Sequence, residues 1–223
     1  ALGRHPNLEL RVFNPILDRS AVGVWWDLTT DLARLDHRMH NKVMVIDNQV
    51  AVVGGRNLAD HYFGYDEKDN FRDLEVIAGG SIVQALARGF DTYWNDPWCF
   101  PVATVAERRG EPGSPQPVDL HPIDAGEFPV ETPAERLEDW LAIARSAHGG
   151  SATLLLDAPP DADPDYATES PVQVGAQLIA AIDAAQTEVW LVSAYLIPSD
   201  ELESAIRRAI QRGVRVRILT NSI

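Results

Sequence analysis

The sequence predicts an α/β protein built on a mixed β-sheet flanked by helices, and three observations carry that expectation. Short segments with apolar residues alternating every second position, such as "LELRVFN" (8–14) and "VRVRILT" (214–220), read as strands. Segments with apolar residues three and four apart, such as "SIVQALARGFDTYW" (81–94), read as amphipathic helices. From Pro171 onward the chain alternates helix, strand, helix and strand, the pattern of a parallel or mixed sheet covered by helices.

The elements follow in order. After the strand at 8–14, residues 15–39 are mixed and carry the pair Trp25-Trp26. Two apolar runs, 42–47 and 50–54, are separated by Asn48-Gln49, a connection short enough for a hairpin turn. "DLEVIA" (73–78) is a further strand, and Ser81 is a candidate N-cap for the helix at 81–94. From Pro97 to Glu131 the composition shifts, and "RRGEPGSPQPVD" has the Pro and Gly content of a linker. A helix follows from Thr132, with Pro133 at its first position and Glu135 closing a capping box, and it ends before Gly149-Gly150. "ATLLLDAPP" reads as a strand running into an acidic, proline-rich break. The last part holds a helix from about Ser170-Pro171 to Gln186 and the strand "EVWLVSA". Then come a helix capped by Ser199 or Asp200 and stopped by Gly213, and the final strand.

Bulk properties exclude some functions. At 223 residues the chain suits one large domain or two small lobes, and it opens at Ala1 directly into what reads as the middle of a domain. The net charge is -14, from 33 acidic and 19 basic residues. A phosphate-backbone binder has the opposite sign, so nucleic acid is not an expected partner. The same balance disfavours docking on anionic lipid through clustered cations, though it leaves room for a small basic pocket. The single cysteine, Cys99, cannot form an internal disulfide or a cysteine-rich zinc site. No apolar run approaches the ~18 to 20 residues of a membrane span.

The chemistry concentrates in "HNKVMVIDNQVAVVGGRN", residues 40–57. Residues two apart on a strand share a face, so His40 and Lys42 lie together, with Met39 and Asn41 opposite. An ammonium at the edge of a buried strand calls for an anion, and a phosphate would satisfy both groups. Lysine offers it a compact charge, and a neutral imidazole offers a nucleophilic nitrogen that titrates near working pH. Gly54-Gly55 allow a sharp turn or close approach of backbone to a ligand, and Asn57 has an amide donor for a phosphoryl oxygen. Taken singly, each residue has a plain structural reading: His40 ends a strand, Lys42 snorkels, and the glycines close a hairpin.

The ordered set is more specific. The spacing His-x-Lys, four residues, Asp, six residues, Gly-Gly-x-Asn resembles the defining motif of the phospholipase D superfamily, matched by His40, Lys42, Asp47, Gly54, Gly55 and Asn57 without a gap. The flanks "RMHNKVMVID", "GGRNLADHYF" and "FRDLEVIAGG" resemble bacterial cardiolipin synthases, nearest to the C type. So do "LDAPPD" and the terminal "AYLIPSDELESAIRRAIQRGVRVRILTNS". The resemblance implies a phospholipase D-like lobe at 1–100 lacking its opening segment, then a linker at 101–170 with one helix and one strand. It implies the start of a second lobe at 171–223, whose own motif is absent. Such a chain would hold half of a two-histidine site.

The implied reaction makes cardiolipin by phosphatidyl transfer through a phosphohistidine, with His40 as nucleophile or as acid/base. Lys42, Asn57, Gly54 and Gly55 would face the phosphoryl oxygens. Asp73, in "FRDLEV", would hold the other nitrogen of the ring, with Glu75 as fallback, and Asp47 would be structural. No metal and no other cofactor is implied, because lysine takes the metal's role. Phosphatidylglycerol is the implied substrate, with phosphatidylethanolamine a second candidate, at the surface of the bacterial cell membrane. The alternatives are a phospholipase D hydrolase releasing phosphatidic acid, a nuclease of the same superfamily disfavoured by the charge, and a non-catalytic, single-motif lipid-binding protein.

Three further features carry weaker readings. His37, His40 and His61 lack a carboxylate at metal spacing. The Trp25-Trp26 pair suits a bilayer interface or plain packing on the sheet. Arg207, Arg208, Arg212, Arg215 and Arg217 read as a solvated face.

Overall fold

The computed structural model describes residues 7–15, 38–65, 70–108, 133–159 and 173–221. They fall into two compact units, one ending at Leu154 and one beginning at Leu155. The first runs β1 (Arg11–Phe13), β2 (Val43–Ile46), β3 (Val50–Gly54), α1 (Asp60–Phe63), β4 (Glu75–Gly79), α2 (Ser81–Trp94), β5 (Cys99–Pro101), α3 (Val102–Arg108) and α4 (Pro133–Ser146). The second runs α5 (Gln173–Ala184), β6 (Glu188–Ser193), α6 (Asp200–Gln211) and β7 (Arg215–Thr220). The α/β class stands. Antiparallel pairs lie in the first unit and a parallel pair in the second, so the two kinds of pairing occupy separate small sheets among the described residues.

The three-stranded sheet β2-β3-β4 carries the motif. Its register sets Val43 against Val53 and Val53 against Val76, and Val45 against Ala51 and Ala51 against Ala78. Cross-strand partners share a face. This face meets α2, where Ala51, Val83 and Leu86 are buried and Val43, Val45, Val53, Ile82 and Leu154 pack around them. The other face presents Met44, Ile46 and Ile77 to solvent.

The hairpin turn sits one residue earlier than Asn48-Gln49. Gln49 N–H donates to Ile46 O at 3.0 Å. The two residues between them, Asp47 and Asn48, both take left-handed conformations, φ 51° and 54°. That is the backbone a tight hairpin turn requires, and Asp and Asn are the side chains that tolerate it. Asp47 is therefore part of the turn itself. Helix α2 also begins differently from the expectation. Its N-cap is Gly80, not Ser81, and no side chain caps it. At φ 80° and ψ -153° this position lies in a region open almost only to glycine, which moves the helix start back by one residue.

The short strand β5 pairs with β1, Arg11 opposite Pro101. Arg11 ties this pair to α2: its Nη1 donates to Trp94 O at 2.9 Å, and its guanidinium lies 4.6 Å from the Trp94 ring. Strand β5 and helix α3 fall where the sequence reads as linker, because three residues are too few to show a period. The strand expected in "ATLLLDAPP" does not form over 152–159. No strand pairs with it among the described residues, and Leu154 packs onto the core instead. Trp25-Trp26, His37, Thr132 of the expected capping box and the Ser170-Pro171 helix start lie outside the described residues.

In the second unit α5 and α6 pack on the β6-β7 pair around Ile182, Ala205, Ala209 and Val214. Ser199 is the N-cap of α6 and accepts from Leu202 N–H at 3.3 Å. Asp183 joins the two helices, accepting from Arg208 Nε at 2.9 Å and Nη2 at 2.7 Å, with Arg212 Nη1 at 3.8 Å. The Arg208 hydrogen bonds hold the Asp183 carboxyl below the ordinary carboxylate pKa. A carboxylate whose pKa falls on folding stabilises the fold above its unfolded pKa, and that contribution is lost as pH falls through the depressed folded value. Asp183→Asn is therefore expected to lower the thermal midpoint only slightly at neutral pH, since a solvent-exposed ion pair contributes little. Melts at successively lower pH should show the difference closing. A gap that stays constant into acid would mean that the carboxylate charge plays no part.

Candidate active site

His40 lies in the two residues of irregular chain before Lys42 and β2, and its ring is exposed. Lys42, two residues on and just ahead of β2, turns back to it. Lys42 Nζ lies 3.1 Å from His40 Nδ1 and donates to His40 O at 2.8 Å. A neutral imidazole that accepts from an ammonium at Nδ1 carries its proton on Nε2. One cation and one titratable ring thus stand together at the sheet edge.

The glycines open into the next strand. A Cβ on Gly54 would overlap Glu75 Cγ, and one on Gly55 would lie 2.5 Å from Asp73 Oδ2. Both carboxylates therefore lie directly against glycine backbone, in space that any other residue would fill. Asp73 Oδ1 accepts from Leu74 N–H at 2.8 Å, and no hydrogen bond joins Asp73 to His40 among the described residues. Asp73 thus lies beside Gly55. Glu75, the fallback partner for the ring, lies 3.1 Å from Arg56 Nε. That pair is misaligned for a hydrogen bond, which leaves the buried Nε–H with no aligned acceptor.

Arg56 and Tyr62 emerge only from the structure. Arg56 Nη1 donates to Tyr62 O at 2.5 Å, and Asn57 Nδ2 donates to the Tyr62 hydroxyl at 2.9 Å. In sequence Arg56 is only a cation between the glycines and Asn57. Its partner becomes visible once the β3–β4 register sets Gly54 opposite Glu75. Tyr62 lies five residues beyond Asn57, and only the turn through α1 brings it back.

A family profile described as "Cardiolipin synthase, PLD-like domain" matches residues 178–223. Over the full chain, cardiolipin synthase C of Escherichia coli is 28% identical, the chain covering 47% of it. Cardiolipin synthase A of Pseudomonas putida is 27% identical over 85% of the chain, which covers 31% of that protein. The chain is thus similar to cardiolipin synthases of the phospholipase D superfamily. An uncharacterized protein of Helicobacter pylori is 30% identical over the whole chain, which covers 45% of it. The chain spans under half the length of the relatives it matches from end to end. No solved structure matches it.

The family match falls on the second unit, where the arginines have partners within the unit. Arg207 pairs with Glu203, Arg208 and Arg212 with Asp183, and Arg215 with Glu188, while Arg217 lies over the Trp190 ring. Among the described residues, no group of three or more His, Cys, Asp and Glu side chains is arranged to hold a metal. His61 packs against Tyr62 and Phe71 at ring distances of 4.6 and 5.2 Å. No helix among the described residues is long and apolar enough to cross a membrane.

Proposed function

We propose that the complete protein is a phosphatidyltransferase that makes cardiolipin from phospholipids through a phosphohistidine intermediate. The observation that carries this reading is the Lys42–His40 pair, 3.1 Å apart at the start of a phospholipase D motif. Likeness to proteins named cardiolipin synthases supports the choice of substrate. His40 serves as nucleophile or as acid/base at phosphorus, opposite a second imidazole supplied from outside these 223 residues, which contain one His-x-Lys motif. Lys42 and Asn57 hold the non-bridging oxygens where charge builds in the transition state. Asp47 keeps the hairpin closed. Gly54 and Gly55 admit Glu75 and Asp73, and Asp73, whose Oδ1 is held by the Leu74 amide, is the carboxylate that would orient the His40 ring. The enzyme works peripherally at the bacterial membrane surface, where phosphatidylglycerol, and phosphatidylethanolamine as second donor, are presented.

The test is incubation of the complete gene product with phosphatidylglycerol vesicles. Cardiolipin and glycerol in equal amounts are the expected products, and excess EDTA should leave the rate unchanged because Lys42 supplies the cation. Phosphatidic acid with no cardiolipin would replace the transferase reading with hydrolysis. Loss of activity in EDTA with recovery on added divalent metal would overturn the role given to Lys42.

A further inference from the structure

We propose that Tyr62 is a positioning residue for Asn57, fixing the carboxamide so that its remaining N–H meets a phosphoryl oxygen. The inference rests on the role proposed for Asn57 above and adds the group that aims it. Asn57 is exposed on a loop beyond the sheet. A carboxamide there turns freely about two side-chain bonds unless something holds it. The Tyr62 hydroxyl does so, accepting one of its two N–H groups at 2.9 Å.

Tyr62 can hold Asn57 because Tyr62 is itself held from several sides. Its N–H donates to Ala59 O at 2.9 Å, and its carbonyl accepts from Arg56 Nη1 at 2.5 Å. Arg56 is anchored in turn by its ion pair to Glu75 on β4. The Tyr62 ring packs at 5.1 Å from Phe71, whose N–H donates to His61 O at 2.8 Å. The phenol is thus tied to β4 through Arg56 and to the segment before it through Phe71. Gly54 completes the arrangement, because a side chain there would displace Glu75. A donor that acts on developing charge is worth most when it is already aimed before the charge appears.

The experiment is a double-mutant cycle in the complete gene product, measuring kcat and KM for phosphatidyl transfer. Tyr62→Phe keeps the ring and removes the acceptor. It is expected to lower kcat about tenfold with KM nearly unchanged, since the interaction strengthens only in the transition state. Asn57→Ala should lower kcat by roughly 10²-fold. In the Asn57→Ala background, Tyr62→Phe should then have almost no further effect. Phe71→Leu, which loosens the ring's support and keeps the hydroxyl, enters a parallel cycle and should likewise lose its effect once Asn57 is gone. If Tyr62→Phe does not fold, this second cycle decides the question alone.

Equal losses from Tyr62→Phe with and without Asn57 would show a merely structural role and overturn the inference, while leaving the Asn57 reading in place. Full activity of Tyr62→Phe alone would overturn it as well. Full activity of Asn57→Ala would remove the Asn57 role and the inference together.

Discussion

Replacing His40 with alanine in the complete gene product is expected to abolish turnover and leave the fold intact. The imidazole is exposed and belongs to neither hydrophobic core, so its loss opens no cavity. Removal of a general acid or base costs on the order of 10²- to 10⁴-fold, and removal of a nucleophile costs at least as much. The measurement is turnover of phosphatidylglycerol alongside a circular dichroism melt. Activity within about tenfold of wild type, with an unchanged melt, would take His40 out of the chemistry.

Lys42→Ala should rank next, lowering kcat by about 10²- to 10³-fold, the loss typical of a donor aimed at transition-state charge. Its effect should fall on kcat more than on KM, because the ammonium meets fuller negative charge as the phosphoryl group reacts. Lys42→Arg preserves the charge and replaces a compact three-donor head by a planar fork. Within the 3.1 Å spacing to Nδ1 that fork does not fit the same place, so arginine should rescue little. Recovery to near wild-type kcat by arginine would reduce Lys42 to a source of general positive potential. A rise in KM with kcat intact would assign it to ground-state binding.

The parts of the fold legible in the sequence are those set by local pattern. The 3.6-residue period marked α2, and the pair Ser199 and Asp200 marked the start of α6 to within a residue, because caps and periodicity act within a few residues. The hairpin was legible to within a residue. Asp47, read as a strand end, entered the turn because its side chain tolerates the left-handed backbone that the turn needs. Strand β5 escaped notice because its existence depends on β1, far away in sequence, rather than on its own three residues. The expected strand after Gly149-Gly150 failed for the converse reason: its apolar run suits a strand, and no neighbouring strand pairs with it among the described residues.

The candidate site divides along the same line. His40 and Lys42 come together two residues apart, as the spacing suggests, although the strand itself begins only at Val43. The expectation linking Asp73 to the His40 ring depends on where a loop places a carboxylate, which spacing does not encode; the structure has it beside Gly55. Arg56 and Tyr62 had no sequence signal of their own, since each matters through a partner that only the strand register and the turn of α1 bring near.

The pairing of β1 with β5 also bears on how the first unit forms. Strands β2 and β3 are joined by a tight turn, and closing so small a loop takes well under a microsecond. Arg11 meets Pro101 only after a long stretch of chain, the motif hairpin and α2 included, has been brought back on itself. The entropy of closing a loop grows with its length, and nothing is gained from the contact until the ends meet. The motif hairpin can therefore assemble early, and the β1–β5 clasp is left to the last stage of folding.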